Sequence, residues 1–202
     1  MKNHWEKIYA HKTPDEMSWT QEKPEFSLKL IEKLQLSKQA KILDVGGGNS
    51  NLVDHLLALG YENISVLDIS SAALEQSKKR LGEKAKKVNW IISDISEFHP
   101  KEKYDLWHDR AAFHFFTNEM DIETYVTIAN KALCNNGYML IGGFSEDGPD
   151  MCSGIPVIKY SEKTLSEVFD THFKKLECVT VKHQTPSEKI QNFIFCSYKK
   201  RN

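Results

Sequence analysis

The sequence predicts an α/β fold built on a mostly parallel central sheet. From residue 41 onward, short β-rich runs alternate with segments of helical periodicity, which is the pattern of parallel α/β proteins. Five of these runs are short and bounded by turn residues, as buried parallel strands are. They cover residues 41–45, 63–69, 88–94, 104–109 and 137–144. A length of 202 residues fits one domain, with residues 1–38 as a helical cap and 39–202 as the α/β core.

Helices fit between these strands. Residues 52–59 place a broad apolar face on a helix that Gly60 ends, and residues 118–133 repeat apolar side chains at helical spacing before Gly137. Ser161 is predicted to cap a further helix over residues 164–169. Two helical stretches, at residues 4–11 and 24–36, precede the first strand and are expected to form the cap.

The chain closes with two β-rich runs, at residues 176–183 and 189–199. Only five residues separate them, too few for a helical crossover, so the two strands are expected to pair as an antiparallel hairpin. A wholly parallel sheet is thereby excluded.

Charge and hydropathy exclude several classes of function. The net charge is −1, so the protein has no overall positive potential that would attract nucleic acid. The one basic cluster, at residues 77–87, is expected to be a solvated face. No apolar run exceeds four residues, which predicts no membrane span. The amino terminus lacks a signal-peptide core, so we expect a cytoplasmic protein, monomeric or homodimeric, with four free cysteines.

The most informative segment is the glycine loop after the first strand. A buried strand ends in Gly46, Gly47 and Gly48, and Ser50 then starts an amphipathic helix. Glycines allow a sharp turn and close approach of a ligand, and the helix amino terminus offers free amides. A dinucleotide loop would have glycine where Asn51 stands, which disfavours a nicotinamide oxidoreductase.

Two carboxylates end the neighbouring strands. Asp68 lies at the end of the second strand, twenty residues after Gly48, where a carboxylate can accept two hydrogen bonds from ribose hydroxyls. Asp94 ends the third strand in the same way. A nucleoside-containing ligand is therefore predicted at this edge of the sheet.

The strings DVGGGNS (44–50), VLDIS (66–70) and SDI (93–95) together resemble the motifs of class I S-adenosylmethionine-dependent methyltransferases. The resemblance implies a three-layer Rossmann-like fold with seven strands in the order 3-2-1-4-5-7-6 and only strand 7 antiparallel. It implies S-adenosyl-L-methionine as cofactor and S-adenosyl-L-homocysteine as product. It also implies cofactor contacts by Trp19, Asp44, Gly46, Gly47, Gly48, Asn49, Ser50, Asp68, Ile69, Asp94, Ile95 and Asp109.

The fourth strand ends in HDRAAFHFF, the richest polar cluster near the expected site. This string resembles the one that follows the fourth strand in thiol and thiopurine methyltransferases and in elongation-factor lysine methyltransferases, with Ala111 and Ala112 as departures. We interpret Asp109 as a ligand of the cap or of a cationic acceptor and Arg110 as its partner, with His108 or His114 as a base. The alternative is an internal ion pair.

Two further features leave alternatives open. Cys152 lies in a loop bounded by glycine and proline, and is either a reactive or metalloid-binding residue or an inert thiol. Cys178 and Cys196 lie within strands and are expected to serve packing. Trp5, Tyr9 and Trp19 of the cap either cover a sulfonium by cation–π attraction or pin the cap to the body. No residues have metal-ligand spacing, so no metal is predicted.

The sequence therefore predicts a methyltransferase whose acceptor is a small molecule such as a thiol, a metalloid or a similar nucleophile. A protein lysine is the alternative acceptor. A catalytically silent module that binds the cofactor or a partner is a further hypothesis.

Overall fold

The computed structural model describes residues 1–202 and contains a central seven-stranded sheet. The strand order is β3-β2-β1-β4-β5-β9-β8, with β9 antiparallel to both of its neighbours. Counting only the strands of this sheet, the order is 3-2-1-4-5-7-6, so the predicted topology is confirmed. The strands are β1 Lys41–Val45, β2 Asn63–Asp68, β3 Val88–Ile92, β4 Tyr104–Arg110, β5 Leu133–Phe144, β8 Phe173–Gln184 and β9 Ile190–Lys200.

Six α-helices accompany the sheet: α1 Lys2–His11, α2 Glu25–Lys33, α3 Leu52–Ala58, α4 Ser71–Leu81, α5 Glu119–Ala132 and α6 Glu162–Phe169. The side chain of Ser161 caps α6 by accepting from the Thr164 amide, and Gly60 (φ +86°) follows the end of α3, as predicted. Gly137 was expected to stop a helix but lies inside β5, because the chain is already extended from Leu133. None of the helices combines the length and apolarity needed to cross a membrane.

The core has two layers, one on each face of the sheet, because strand side chains alternate with a period of two. On β4, Trp107 packs in the layer that holds α5 and α6. Its neighbour Leu106 packs in the opposite layer, with α2 and α3. This alternation decides which side of the molecule each polar residue at the end of β4 reaches.

The two amino-terminal helices pack against different parts of the molecule. Helix α2 belongs to the core layer of α3, whereas α1 packs on α4 in a small separate cluster with Tyr9, Met17 and Ala73. The Glu6 carboxylate fastens α1 by accepting from the amides of Ser71 (2.7 Å) and Ala72 (3.1 Å) at the first turn of α4. An acid at a helix amino terminus is stabilised by the unpaired amides there.

The expectation of four free cysteines is wrong for two of them. Cys178 on β8 and Cys196 on β9 are directly opposed in the antiparallel pair, 4.1 Å apart at Cα, and form a disulfide. The short connection predicted the hairpin, but the register that brings the sulfurs together depends on bulge and turn geometry. Cys134 and Cys152 are free.

Candidate functional site

A cavity of about 420 Å³ opens at the carboxyl ends of β1 to β4. Helix α1 covers it from one side, and a small hairpin, β6 Met151–Cys152 with β7 Ile155–Pro156, covers it from another. Its size is typical of small-molecule sites, and the carboxyl edge of an open parallel sheet is where such sites form. Its polar lining residues include Asp68, Ser93, Asp94, Ser96, Arg110, Thr117, Asp121 and Cys152.

The glycine loop forms the floor between β1 and α3. Gly46 has φ +63°, and a Cβ there would lie 2.5 Å from Cβ of Ala112, so neither the backbone nor the space admits a side chain. Gly48 has φ +49°, and a Cβ there would lie 2.8 Å from Oη of Tyr9. The loop is therefore held against both the turn after β4 and the cap.

Asp44 and His108 form a buried polar network beneath this loop. Nδ1 of His108 lies 2.7 Å from Oδ1 of Asp44, and Nε2 lies 2.9 Å from Oγ of Ser27 on α2. Both ring nitrogens are engaged and the residue is buried. His108 therefore ties β4 to β1 and α2, and its ring nitrogens are not directed to the cavity as a base would be.

Asp68 and Asp94 lie at adjacent strand ends and both border the cavity. Asp68 is 6% exposed, and its Oδ1 accepts from the amide of Ser70 at 2.8 Å. Burial, together with the nearby charge of Asp44, raises the pKa of Asp68 to about 7. Oδ1 of Asp94 accepts from the amide and the hydroxyl of Ser96, which leaves its other oxygen without a protein partner.

Aromatic side chains make the roof. Trp5 is 5.8 Å from Trp19 and 5.2 Å from Phe115, in edge-to-face geometry, and 6.3 Å from Tyr9 (ring centroids). The rings of Tyr9 and Trp19 are 6.2 Å apart, and the hydroxyl of Tyr9 lies next to Gly48 of the glycine loop. The predicted aromatic cluster thus both anchors α1 and faces the cavity.

Asp109 does not border the cavity. Its Oδ1 accepts from the amides of Ala112 and Phe113, and its Oδ2 accepts from the hydroxyl of Tyr125 at 2.6 Å. It is fully buried on the α5 side of β4, and the ion pair with Arg110 that the sequence left open is not formed. Burial raises the pKa of Asp109 to about 6, opposed mainly by the hydrogen bond from Tyr125. The carboxylate holds the turn that carries Ala112.

His114 is also buried and does not border the cavity. Neither ring nitrogen has a hydrogen-bond partner, and burial with the charge of Arg110 lowers its pKa to about 3. The side chain is therefore neutral at physiological pH and packs against Phe115 and Phe144. The structure does not place it to take a proton from a bound acceptor.

Arg110 points to the opposite side of β4 from Asp109. Its Nη1 donates to the carbonyl of Trp19 at 2.9 Å, and its guanidinium lies 4.9 Å from the ring centre of Phe193. Cys152 borders the same end of the cavity and is 6% exposed. Burial raises the pKa of the Cys152 thiol to about 11 despite Arg110, so at neutral pH it is protonated and a weak nucleophile.

The structure thus distributes the predicted residues over three environments. Trp19, Gly46, Asp68, Ile69, Asp94, Ile95 and Arg110 border the main cavity. A small polar recess next to it is lined by Asp44, Gly47, Asn49, Ser50 and His108. Gly48, Asp109 and His114 border neither. The sequence did not single out three further residues that border the cavity, Phe116, Ile155 and Pro156. Ile155 and Pro156 form a two-residue strand, which leaves no periodicity to detect.

Residues 43–139 match a family model described as a methyltransferase domain, and this segment contains the glycine loop and both carboxylates. This segment is a methyltransferase domain, and the motifs and strand order of the chain are those of the class I S-adenosylmethionine-dependent methyltransferase superfamily. The methyl donor that gives this superfamily its name is S-adenosyl-L-methionine.

Relatives of this methyltransferase differ in acceptor. Malonyl-(acyl-carrier protein) O-methyltransferase 1 of Ilyobacter polytropus is 27% identical over 179 residues, which cover 81% of this chain and 64% of the relative. EEF1A lysine methyltransferase 2 of Danio rerio is 30% identical over 121 residues, covering 56% of this chain and 52% of the relative. The chain therefore spans less than two thirds of the length of either.

Solved structures agree on the fold of this methyltransferase. A protein studied for the conversion of a disulfide bond into a thioacetal group during echinomycin biosynthesis superposes with a TM-score of 0.78 at 18% identity, over 99% of this chain and 93% of that one. The N-methyltransferase NodS of Bradyrhizobium japonicum, in complex with S-adenosylhomocysteine, gives 0.66 at 16% identity over 90% of both chains.

The residues around the cavity fit this cofactor. The second oxygen of Asp68 faces the backbone of Gly48 in the loop, and the free oxygen of Asp94 lies at the next strand end. Vicinal hydroxyls and an exocyclic amine are donors that such oxygens accept. The glycine loop excludes side chains where a ligand backbone must approach, so the arrangement is compatible with a bound nucleoside that carries an amino-acid chain.

Proposed function

We propose that this protein transfers a methyl group from S-adenosylmethionine to a small-molecule acceptor, such as a thiol, a metalloid or a similar nucleophile. The observation that carries the proposal is one continuous cavity. It begins at Asp68 and Asp94, passes the glycine loop, and ends between Arg110 and Cys152 under a roof of aromatic rings. One end suits a nucleoside, and the other leaves room for a second reactant.

In this proposal the chain's own residues bind, orient and exclude water. Asp68 accepts from the ribose hydroxyls, Asp94 and the backbone of Ile95 hold adenine, and the loop from Gly46 to Ser50 receives the methionine chain. The bound sulfonium supplies an activated methyl group. Trp5 and Trp19 of the roof shield the reacting centre from water, which strengthens its electrostatic interactions.

The enclosure of the far end favours a small acceptor. Helix α1 and the hairpin β6–β7 cover the cavity, so the acceptor group has to enter a confined space beside Arg110. A thiol or an oxygen nucleophile fits that space. A metalloid acceptor would need soft ligands, and Cys152 is the only thiol that borders the cavity.

A protein lysine is the second candidate, supported by the similarity to EEF1A lysine methyltransferases. The charges at the far end oppose it. Three acids border the cavity, but none of them lies at the far end. Asp68 and Asp94 are at the ends of β2 and β3, and Asp121 is in the first turn of α5, which packs on the turn after β3. The far end presents Arg110, which repels an ammonium group.

Calorimetric titration with S-adenosylhomocysteine tests the proposal, with NADH as the comparison ligand. We expect micromolar binding of S-adenosylhomocysteine, no binding of NADH, and loss of binding in Asp68→Ala. Asp170→Ala is the matched control, because this exposed carboxylate pairs with Arg201 far from the cavity. Labelled S-adenosylmethionine then reports transfer to thiols, carboxylic acids and lysine-containing proteins. A folded protein that does not bind the homocysteine product contradicts the proposal, and binding without transfer to any acceptor favours the silent module.

A further inference from the structure

Arg110 is the only basic side chain that borders the cavity. It lies at the end opposite to Asp68 and Asp94, among Trp5, Trp19, Phe115 and the hairpin β6–β7. The charged and titratable groups around it are Cys152 and His183, together with His114 and, further away, the Asp44–His108 pair. No carboxylate lies within ion-pair distance of its guanidinium.

The guanidinium is also incompletely hydrogen-bonded. Nη1 donates to the carbonyl of Trp19, but Nη2 is buried and has no acceptor within the protein. A buried charged donor without a partner is costly, whereas the same group paired with a carboxylate forms short, charge-assisted bonds. The ring of Phe193 supports one side of the guanidinium and offsets only part of that cost. A ligand that brings an oxyanion to this place supplies the missing acceptor.

The far end of the cavity also lacks a group that could remove a proton from an acceptor. His108 is engaged on both nitrogens, His114 is buried away from the cavity, and the Cys152 thiol is protonated at neutral pH. His183 is bound to the carbonyl of Ser18 and does not border the cavity. A lysine must lose a proton before it can attack, and the charge of Arg110 opposes the entry of its ammonium form. A nucleophile that is already anionic needs no base.

We propose that the methyl acceptor is an anion of the carboxylate class and that Arg110 binds it. This inference rests on the proposed methyltransferase function and names its substrate class. A carboxylate oxygen forms the new bond to the methyl carbon while the bond between that carbon and sulfur breaks. The electron pair of the broken bond stays on sulfur, which becomes neutral, and no proton is transferred. The product is a methyl ester, which no longer carries the charge that Arg110 binds, so its release is favoured.

The cofactor also carries a carboxylate, on its methionine chain, and this group is a second candidate partner for Arg110. Arg110 also borders the small recess lined by Asp44, Gly47 and Asn49, where the methionine chain would lie. We assign the arginine to the acceptor because its guanidinium lies against the ring of Phe193, and because the nearby charged group that affects it most is Cys152 of the hairpin, ahead of Asp44 beneath the glycine loop. The experiment separates the two sources.

The test compares wild type, Arg110→Gln and Arg110→Lys, with Arg201→Gln as the matched control at an exposed arginine that pairs with Asp170. Circular dichroism and thermal melts establish folding. Calorimetry gives the Kd of S-adenosylhomocysteine and of its decarboxylated analogue. Protein saturated with S-adenosylhomocysteine is then titrated with malonyl, succinyl and glutaryl thioesters of N-acetylcysteamine and with the matching amides, and labelled cofactor reports methyl-ester formation.

We expect at least one acid to bind about 10-fold or more tightly than its amide. Arg110→Gln should lower the affinity for that acid by about 10- to 100-fold. Arg110→Lys should retain part of the preference, and the Kd of S-adenosylhomocysteine should change less than about 3-fold. The inference is overturned if no acid binds, if acids and amides bind equally, or if Arg110→Gln weakens S-adenosylhomocysteine but not its decarboxylated analogue. The last result would assign the arginine to the cofactor. Failure of wild type to bind S-adenosylhomocysteine would instead reject the proposed function itself.

Discussion

Replacing Asp68 by Asn should make the ligand-free protein more stable, and more so as the pH rises. The folded protein holds the pKa of this carboxyl at about 7, mainly by burial, against an ordinary value of 3.8. Because the folded value is the higher one, folding favours the protonated form. The cost of ionising Asp68 is therefore absent below about pH 4, grows between about pH 4 and 7, and is complete above pH 7.

Three pKa units correspond to about 4 kcal/mol of destabilisation above pH 7, and to about 2 kcal/mol near pH 5. Asparagine keeps the size of the side chain and an oxygen for the Ser70 amide, but it loses the hydrogen bond from the Gly48 amide, so the change of the gain with pH carries the test. Urea unfolding of ligand-free wild type and Asp68→Asn at about pH 5 and about pH 8.5 should give a gain in unfolding free energy that rises by about 2 kcal/mol.

The same variant should bind S-adenosylhomocysteine at least about 10-fold more weakly, because an amide replaces a charged acceptor. Asp94→Asn is the matched control: it also removes a carboxylate at the cavity, but this side chain is partly exposed, so the cost of burying a charge that we assign to Asp68 is not expected there. A gain of equal size at both pH values, or no gain at all, would refute the assignment of the cost to a buried charge.

Three further changes test the site by its geometry. Gly46→Ala and Gly82→Ala both place a side chain on a residue at positive φ, and this backbone strain should cost about 1–2 kcal/mol in each variant. Only Gly46→Ala also creates a steric clash. Calorimetry should therefore show that Gly46→Ala abolishes S-adenosylhomocysteine binding. Tyr125→Phe removes the donor to Asp109 and the acceptor of a buried tryptophan, so urea unfolding should show a loss of about 1–3 kcal/mol with cofactor affinity unchanged. Glu6→Gln should lower stability by about 1 kcal/mol at neutral pH. Burial raises the pKa of Glu6, but its hydrogen bonds lower it more, so this stabilisation is present at neutral pH and is lost as the pH falls through the lowered pKa, which melts at several acid pH values would detect.

Much of the fold follows from local features of the sequence. The five parallel strands follow from short β-rich runs that alternate with helical segments, and the closing hairpin follows from a connection too short for a crossover. The order of the strands came from the resemblance to a family, because periodicity does not say which strands are neighbours. The disulfide between Cys178 and Cys196 was not predictable, since it requires the register of two long strands to within one residue.

The site residues that could be predicted are those whose position follows from the end of a single strand. Asp68 and Asp94 follow from that rule, and both border the cavity. The role predicted for His108 depends on three elements at once, since its ring joins Asp44 on β1 to Ser27 on α2. Such a network depends on how separate elements pack, which no local pattern encodes.

Strand alternation did contain a signal about Asp109 and Arg110. Consecutive residues of a strand face opposite layers, so the two cannot both point into one cavity. Trp107 and Asp109 share a face and both bond to Tyr125 of α5, whereas Arg110 reaches the opposite face. Of the two, only the arginine borders the cavity.

Asp68, which is buried, and Arg110, which is partly buried, place opposite charges at the two ends of one cavity, and they do not pair with each other. Burial moves the pKa of both toward the neutral form, up to about 7 for the acid and down to about 10 for the arginine. Each charge therefore lowers the stability of the ligand-free protein and becomes favourable only when a ligand supplies the complementary group. A carboxylate accepts from hydroxyls, and a guanidinium donates to an oxyanion. In the proposed reaction the two ends therefore select chemically different ligands, and binding of both places a nucleophile and a methyl donor in the same cavity.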